Sequence, residues 1–212
     1  MNNKRFYKVL IFFSFVLSMS INAQEKYGIS NNFHSNNRNN LRDQMPENSI
    51  SILFSSPTRK RSNDVYYHYH PDPNYYYLTG WREPHSILLI FKNYMRDSLG
   101  NYNEILFVRD KDPYDEKWNG KRMGVEGAKK LGFNRVFDKN EFSAMNFNFK
   151  SFDKILLNKF LTDVEDIISD ESDLFDLQIQ LKSKINFQNE FNPEVFKWYN
   201  LILNVSDDEI DK

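Results

Sequence analysis

The 212-residue sequence offers few groups for metal or acid–base chemistry, because it contains four histidines and no cysteine. Two of the histidines, His68 and His70, are two residues apart, with Asp64 and Asp72 close by. Side chains spaced by two lie on the same face of a strand, so a metal site with two imidazole ligands and a carboxylate is conceivable. Two tyrosine-flanked histidines that hydrogen-bond the following turn are the simpler interpretation, and the one that we favour.

No catalytic motif accompanies these residues. His34 and His85 lie far apart in the sequence and outside an HExxH pattern, no serine lies in a GxSxG turn, and a GxxxxGK(S/T) phosphate loop is absent. Glu104 and nearby aspartates supply carboxylates, but nothing marks an acid–base pair. The lack of cysteine excludes thiol nucleophiles, thiolate zinc sites and disulfides. The residues alone therefore predict a domain without an identifiable catalytic centre.

The composition limits the classes of partner. Lysine and arginine total 28 against 29 acidic residues, a formal net charge of −1, so bulk attraction to nucleic acid or to an anionic membrane is not expected. Aromatic residues make up 16% of the chain, which argues against disorder because each buries a large area.

The first 23 residues have the pattern of a secretory signal peptide. Lys4, Arg5 and Lys8 precede the apolar run Val9–Leu17, and small residues follow as far as Ala23. An uncleaved anchor is the alternative, but the run is shorter than the roughly 20 residues that span a bilayer. We therefore predict cleavage after Ala23 and a mature, exported protein, periplasmic or secreted, that is not membrane-bound.

The rest of the sequence alternates between apolar strand-like runs and helical patterns. Ser86–Phe91 is continuously apolar, which is typical of a central strand buried on both faces. Two prolines, Pro71 and Pro73, predict a turn rather than a helix. The other strand candidates are Ser49–Phe54, Val65–His70, Tyr75–Leu78, Glu104–Arg109, Arg135–Phe137 and Lys154–Leu157. The helix candidates are Ser30–Met45, Lys111–Trp118 in part, Val125–Leu131 and Lys139–Asn146. The predicted fold is α/β, a mixed β-sheet flanked by helices.

The composition changes after Leu157. Residues 161–176 carry seven acids and no lysine or arginine, with apolar residues roughly on one helical side. Calcium binding is one interpretation, but the glycine and alternating acids of a calcium loop are missing, so a solvated acidic helix face is favoured. With the apolar helix predicted over Phe191–Leu203, residues 161–212 are predicted to form an acidic and apolar helical C-terminal extension of the domain.

Three blocks of residues together resemble one known family. The first comprises Asn37-Arg38, Met45-Pro46 and the strand Ser49–Ser55. The second contains R-S-N-D over residues 61–64, Y-H-Y over 67–69 and N-Y-Y-Y-L-T-G-W-R-E-P over 74–84. The third contains E-K-W-N-G-K-R-M-G over residues 116–124. Their order and spacing over residues 30–160 resemble the amino-terminal domain of aminopeptidase P, the Xaa-Pro aminopeptidases of the creatinase/prolidase superfamily.

The resemblance implies roles for two residues. In oligomeric bacterial relatives, the aspartate of R-S-x-D and the tryptophan of E-x-W-x-G lie near a neighbouring subunit's active site, and these are Asp64 and Trp118 here. A carboxylate can anchor a peptide ammonium, and an indole can line a pocket for a proline ring. The chain departs from the family at His70-Pro71, where Arg-Gln is frequent, which puts an inter-element salt bridge there in doubt.

The resemblance also implies that the family's metal site lies elsewhere. In the family two metal ions, usually manganese, are held by a following pita-bread catalytic domain that contributes two aspartates, a histidine and two glutamates. Beyond Leu157 this sequence has no histidine and ends near where that domain would begin, so we expect that it binds no metal of its own.

The resemblance, together with the expected lack of a catalytic domain, is compatible with two functions of different classes. The first is the amino-terminal, non-metal-binding domain of an exported Xaa-Pro aminopeptidase-like metallopeptidase, which removes the first residue from peptides with proline second. Its partners are then a catalytic domain or neighbouring subunits, a homo-oligomer included, and Xaa-Pro peptides through them. The alternative is a stand-alone, non-catalytic peptide-binding or oligomerisation module. In either case Asp64 and Trp118 are predicted at the surface, because polar residues flank both and a buried Asp64 would need Arg59 or Arg61 as its partner.

Overall fold

The structure is a computed structural model that describes residues 31–157 and 160–185. The predicted signal peptide and the helix predicted over Phe191–Leu203 lie outside the described residues. The helices are α1 (Asn31–Gln44), α2 (Pro73–Thr79), α3 (Glu116–Asn119), α4 (Gly124–Lys129), α5 (Glu141–Ala144) and α6 (Leu174–Lys184), with a 3₁₀ turn at Phe149–Ser151. The strands are β1 (Ser49–Phe54), β2 (Lys60–Ser62), β3 (Val65–Tyr66), β4 (Ile87–Asp97), β5 (Gly100–Val108), β6 (Val136–Asp138) and β7 (Lys154–Leu157).

Five of these strands form one mixed sheet in the order β6-β5-β4-β1-β7. Strands β1, β4 and β5 pair antiparallel, whereas β7 runs parallel to β1 and β6 runs parallel to β5. Strand β4 lies in the centre, where Leu89 is opposite Ile52 on one side and Ile105 on the other. The predicted mixed α/β sheet with a central Ser86–Phe91 strand is confirmed. Strands β2 and β3 form a separate two-stranded hairpin.

Both faces of the sheet are covered, which explains its continuous apolar runs. Leu88 and Ile90 point to the face that is covered by α1, α2 and α4. Ile87, Leu89 and Phe91 point to the opposite face, which packs against α5, α6 and the 3₁₀ turn. A half-covered sheet would alternate apolar and polar residues, so the run in β4 requires two packed layers of helices.

The prediction for residues 71–78 is wrong. A turn at the two prolines and a strand at the tyrosines were predicted, but residues 73–79 form the helix α2. Asp72 is the N-cap, its carboxylate accepting the Tyr75 amide at 2.8 Å, and Pro73 is the first helical residue, where a missing N–H is harmless. The helix ends at Gly80, whose φ of 68° closes it by a bond to the Tyr76 carbonyl. The strand predicted over Val65–His70 likewise shrinks to Val65–Tyr66.

The helix predicted from residue 161 begins later than expected. Residues 160–173, the acidic segment, have no regular secondary structure, and α6 starts only at Leu174. Asp173 is the N-cap of α6 and its carboxylate accepts two backbone amides of the first turn. Ile168 is 94% exposed, so the predicted apolar helical side does not form. No helix within the described ranges has the length and apolar character needed to cross a membrane.

Buried charges join α1 to the sheet. The Glu104 carboxylate on β5 accepts two hydrogen bonds from Arg38, at 2.8 and 3.0 Å, and one from Arg42 at 3.0 Å. The Arg38 guanidinium also lies 3.9 Å from the centre of the Phe133 ring. Because removal of one member would leave a buried charge unpaired, Glu104 has a structural role here.

Candidate functional site

Trp118 lies on α3, a four-residue helix inside a loop that runs from residue 110 to 124, the Trp118 loop. Its side chain is 78% exposed, so the predicted surface position is confirmed. Helix α3 is too short to be stable by itself, since one turn repays little of the entropy of ordering it. Side chains elsewhere in the loop must therefore order the backbone of α3.

Arg122 provides the main support for the Trp118 loop. Its buried guanidinium donates to the Asp115 carboxylate and to the Asp110 carbonyl, and its backbone amide donates to Glu116 Oε1 at 2.9 Å. At the start of the loop Asp112 accepts the Tyr114 amide at 2.7 Å. These bonds flank Trp118 in sequence on both sides, so the backbone that carries the indole is fixed while the ring faces solvent.

Glu83 links this loop to the sheet. Its Oε1 accepts the Met123 amide at 2.6 Å, just before Pro84 leads the chain into β4. Burial raises the pKa of Glu83, an effect that the Met123 hydrogen bond and the charges of Arg109 and Arg122 oppose. Burial also lowers the pKa of Arg109, and neighbouring Arg122 lowers it further. The E-P and E-x-W-x-G-x-R parts of the sequence thus fold into one charged, partly buried support.

Asp64 lies at the turn of the β2–β3 hairpin and is exposed, as predicted. Asn63 precedes it with a φ of 45°, a left-handed conformation that asparagine tolerates in turns. Neither Arg59 nor Arg61 forms an ion pair with Asp64. Arg59 instead pairs with Asp163 at 2.7 Å and Lys60 with Glu165 at 3.0 Å, so the hairpin is tied to the acidic segment. Among the described residues the Asp64 carboxylate therefore forms no ion pair. The pKa of Lys60 is raised mainly by its pairing with Glu165, and the charge of Asp64 adds to this effect.

Asp64 and Trp118 are not joined to each other by any hydrogen bond or ion pair within the described residues. What the structure places together are the supports around each of them. The roles of Arg122 and Glu83 were missed from the sequence, although both belong to the quoted blocks. For Arg122, the sequence signal was the position of Glu116 and Arg122 on either side of Gly120, a spacing that suits a loop closed by a hydrogen bond between these two residues.

His68 and His70 follow β3 in irregular backbone, and both are exposed. Their ring centroids are 5.6 Å apart. Asp72 caps α2, and no group of three ligand atoms within the described ranges includes either histidine. The three-ligand metal site considered from the sequence is therefore not formed.

The acidic segment and α6 bring together three carboxylates, those of Asp166, Asp173 and Asp176. Asp173 accepts the Ile167 amide at 2.7 Å besides capping α6, and Asp176 accepts the Ser172 amide at 2.9 Å. The carboxylates of Asp173 and Asp176 therefore stabilise the backbone by accepting amide hydrogen bonds. The sequence had predicted instead that the acidic residues form a solvated helix face.

His85 fixes the far end of the acidic segment. Its buried Nδ1 accepts the Leu174 amide at 3.0 Å, which requires that nitrogen to be unprotonated. Burial lowers the pKa of His85 to about 4. Nearby, burial alone would raise the pKa of Asp170, but the Lys139 ammonium, 2.7 Å away, lowers it overall.

Comparison with known proteins assigns this arrangement to a family. Residues 34–153, which include Asp64 and Trp118, match the model of the aminopeptidase P N-terminal domain. Intermediate cleaving peptidase 55 of Schizosaccharomyces pombe is 38% identical over 115 residues, 54% of this chain and 21% of that protein. The Xaa-Pro aminopeptidase of Haemophilus influenzae is 38% identical over 103 residues, 48% of this chain and 23% of that protein.

A solved structure agrees with the sequence matches. Aminopeptidase PepP of Pseudomonas aeruginosa superimposes with a TM-score of 0.58 at 26% identity, over 74% of this chain and 32% of that one. The chain thus spans between a fifth and a third of the length of these relatives. With a mixed sheet, a Trp118 loop and an R-S-N-D hairpin that all fall within the matched residues, the chain belongs to the family of aminopeptidase P N-terminal domains.

Proposed function

We propose that this domain is the amino-terminal part of an exported Xaa-Pro aminopeptidase-like metallopeptidase, and that the catalytic metal site lies outside it. In this role it contributes to oligomerisation and supplies substrate-pocket residues to a catalytic domain. The family match supports the proposal, and the observation that carries it is Trp118, whose ring is 78% exposed on a loop fixed by buried hydrogen bonds. A large aromatic ring that is exposed to solvent on an ordered backbone gains apolar burial when a partner covers it.

Trp118 is proposed to form one wall of the pocket that accepts the proline ring of the substrate. Because α3 is already ordered by Arg122 and Asp112, little conformational entropy would be lost when the indole is covered. Asp64 is proposed to anchor the peptide ammonium, and the lack of an ion pair among the described residues leaves its carboxylate available for this.

Manganese, the metal expected for the family, is assigned by this proposal to the catalytic domain. The described residues do not fit such a site. The one group of three close ligand atoms among them contains three aspartates and no histidine, and two of these carboxylates accept backbone amides. We therefore expect the purified 212-residue chain to hydrolyse no Xaa-Pro peptide, with or without added manganese.

The experiment combines the chain with a catalytic partner. The chain is mixed with the Haemophilus influenzae Xaa-Pro aminopeptidase from which the region matched here has been deleted, and cleavage of an Xaa-Pro peptide is followed with manganese present. The proposal predicts no cleavage by the chain alone and faster cleavage by the mixture than by the truncated enzyme alone. Equal rates for the mixture and the truncated enzyme, or manganese-dependent cleavage by the chain alone, would contradict it.

A stand-alone peptide-binding or oligomerisation module is the second candidate. The observation in its favour is that the described residues cover both faces of the sheet from within this chain. Sedimentation and calorimetric titration with an Xaa-Pro peptide separate the two. The module binds the peptide or self-associates without a catalytic domain and does not accelerate the truncated enzyme.

Export is proposed from the amino-terminal sequence alone. Expression of the full chain in a Gram-negative host, followed by mass measurement of the periplasmic product, tests it. Cleavage after Ala23 supports export, and an intact amino terminus in the cytoplasmic fraction contradicts it.

A further inference from the structure

The four histidines of the chain fall into two classes. His34 and His85 are buried, and each has a ring nitrogen bonded to the backbone, to the Tyr77 carbonyl and the Leu174 amide respectively. His68 and His70 are exposed, and within the part of the chain that the structure describes neither makes a hydrogen bond. Their four ring nitrogens are therefore available to a ligand from solvent.

The backbone that carries this pair is fixed on both sides. The Tyr67 amide donates to the Arg59 carbonyl at 2.8 Å, and Asp72 caps α2. Between the two histidines, Tyr69 turns inward and its hydroxyl is buried beside Ser55. His68 and His70, on either side of this inward Tyr69, are both exposed, and their rings contact each other on the solvent side.

The separation of the two rings suits one metal ion. Two imidazoles that ligate a tetrahedral zinc ion through bonds of about 2.1 Å have centroids roughly 5 Å apart. His68 and His70 are at 5.6 Å, with their planes inclined at 79°. The two rings meet edge to face, so a ligating nitrogen of each is turned toward one ion by rotation about the side-chain torsions, which exposed side chains make readily.

We propose that His68 and His70 form a two-histidine site for a borderline divalent cation of the zinc, nickel and copper type. Imidazole nitrogen selects such ions over calcium and magnesium, which require oxygen ligands. Asp64 and Asp72 do not join the group, so the ion keeps open coordination positions for solvent or for a ligand from a second molecule. The site rests on residues of this chain alone and does not depend on the proposed peptidase role.

Calorimetric titration of zinc into the full-length product, purified without a histidine tag, tests the site. We expect saturable binding that His68→Ala and His70→Ala each weaken at least tenfold, and that magnesium or calcium in large excess does not compete. Cobalt added in place of zinc provides a spectroscopic readout, because its visible absorption bands report nitrogen ligation and are lost in the double variant. Both side chains are exposed, so thermal unfolding of the variants is expected to match that of the parent chain.

Asp166→Asn is the matched control, since it alters the group of three aspartates and leaves the histidines intact. The proposal predicts that zinc binding by this variant is unchanged. The proposal is overturned if Asp166→Asn abolishes zinc binding or if the histidine variants bind zinc like the parent chain. It is also overturned if no binding is detected up to about 1 mM zinc, since a Kd of 1 mM corresponds to a binding free energy of only about −4 kcal/mol.

Discussion

The Trp118 loop and the β2–β3 hairpin each present one exposed side chain, but they are held in different ways. The loop is fixed by hydrogen bonds to the buried Arg122 and by Glu83, which connects it to the start of the central strand. The hairpin has two strands of three and two residues and is tied by exposed ion pairs from Arg59 and Lys60. Such a hairpin is marginal in water by itself. A site assembled from both therefore has one rigid part and one adaptable part.

This difference suits the two proposed roles. A pocket wall for the stiff proline ring benefits from an indole on a fixed backbone, because misplacement loses contact area. An anchor for a flexible peptide amine can adjust, because charge attraction falls off gradually with distance.

The largest effect is expected at His85, which fixes the acidic segment that tethers the hairpin. Its pKa in the folded chain, about 4, lies below the ordinary 6.5, so the unfolded chain binds more protons between these values and stability falls as the pH is lowered through them. The loss reaches about 3 kcal/mol at most. His85→Asn keeps an acceptor and tolerates the φ of 57°, so it should remove this pH dependence in denaturant unfolding. An unchanged slope between pH 6.5 and 4 would show that another group is responsible.

Breaking the support of the Trp118 loop should have the next largest effect. Arg122→Met retains the apolar stem but leaves the Asp115 carboxylate and the Asp110 carbonyl without their donor. We expect a loss of about 2 kcal/mol in the free energy of unfolding and faster hydrogen exchange in residues 112–124. Arg96→Met, on the exposed end of β4, is the control and should change neither. A stable Arg122→Met variant with a protected loop would mean that Glu83 suffices.

Releasing the hairpin should have the smallest effect on global stability. Replacing Arg59 and Lys60 together by glutamine removes two exposed ion pairs, which contribute little to unfolding free energies. The expected result is an unchanged unfolding midpoint with faster hydrogen exchange at the β2–β3 amides, reproduced in the parent chain by high salt. Lys129→Gln, which breaks the exposed Lys129–Glu126 pair of α4, is the matched control. Exchange that stays slow in the double variant would show that strand pairing alone holds the hairpin.

The sheet could be predicted from the sequence because each of its main strands is specified by a short run of neighbouring residues. The run from Ile87 to Phe91 and the turn at Gly100 specify a buried strand and its hairpin partner without knowledge of the rest of the chain. Helix α2 was predicted wrongly because three consecutive tyrosines favour a strand by propensity. The capping of Asp72 and the burial of Tyr75, Leu78 and Thr79, at helical spacing, override that preference.

Of the candidate site, only the exposed residues were predictable from the sequence. Asp64 and Trp118 stand in polar surroundings that indicate the surface, and the family resemblance named them. Their supports depend on partners far away in sequence, such as Glu83 for the Met123 amide and Asp163 for Arg59. Local patterns contain no information about such pairings, and the same holds for the acidic segment, whose carboxylates accept backbone amides.

The most direct test of the central claim compares Trp118→Ala with Tyr94→Ala in the mixture of this chain and the truncated Haemophilus influenzae enzyme. Tyr94 is 71% exposed on β4, so both variants remove an exposed ring, and both should unfold like the parent chain. We expect Trp118→Ala to lower kcat/KM for an Xaa-Pro peptide at least tenfold, about 1.4 kcal/mol in transition-state binding, and Tyr94→Ala to leave it unchanged. Equal kcat/KM values for the two variants, or a loss of stability in Trp118→Ala as large as its loss of activity, would show that Trp118 does not form a wall of the substrate pocket.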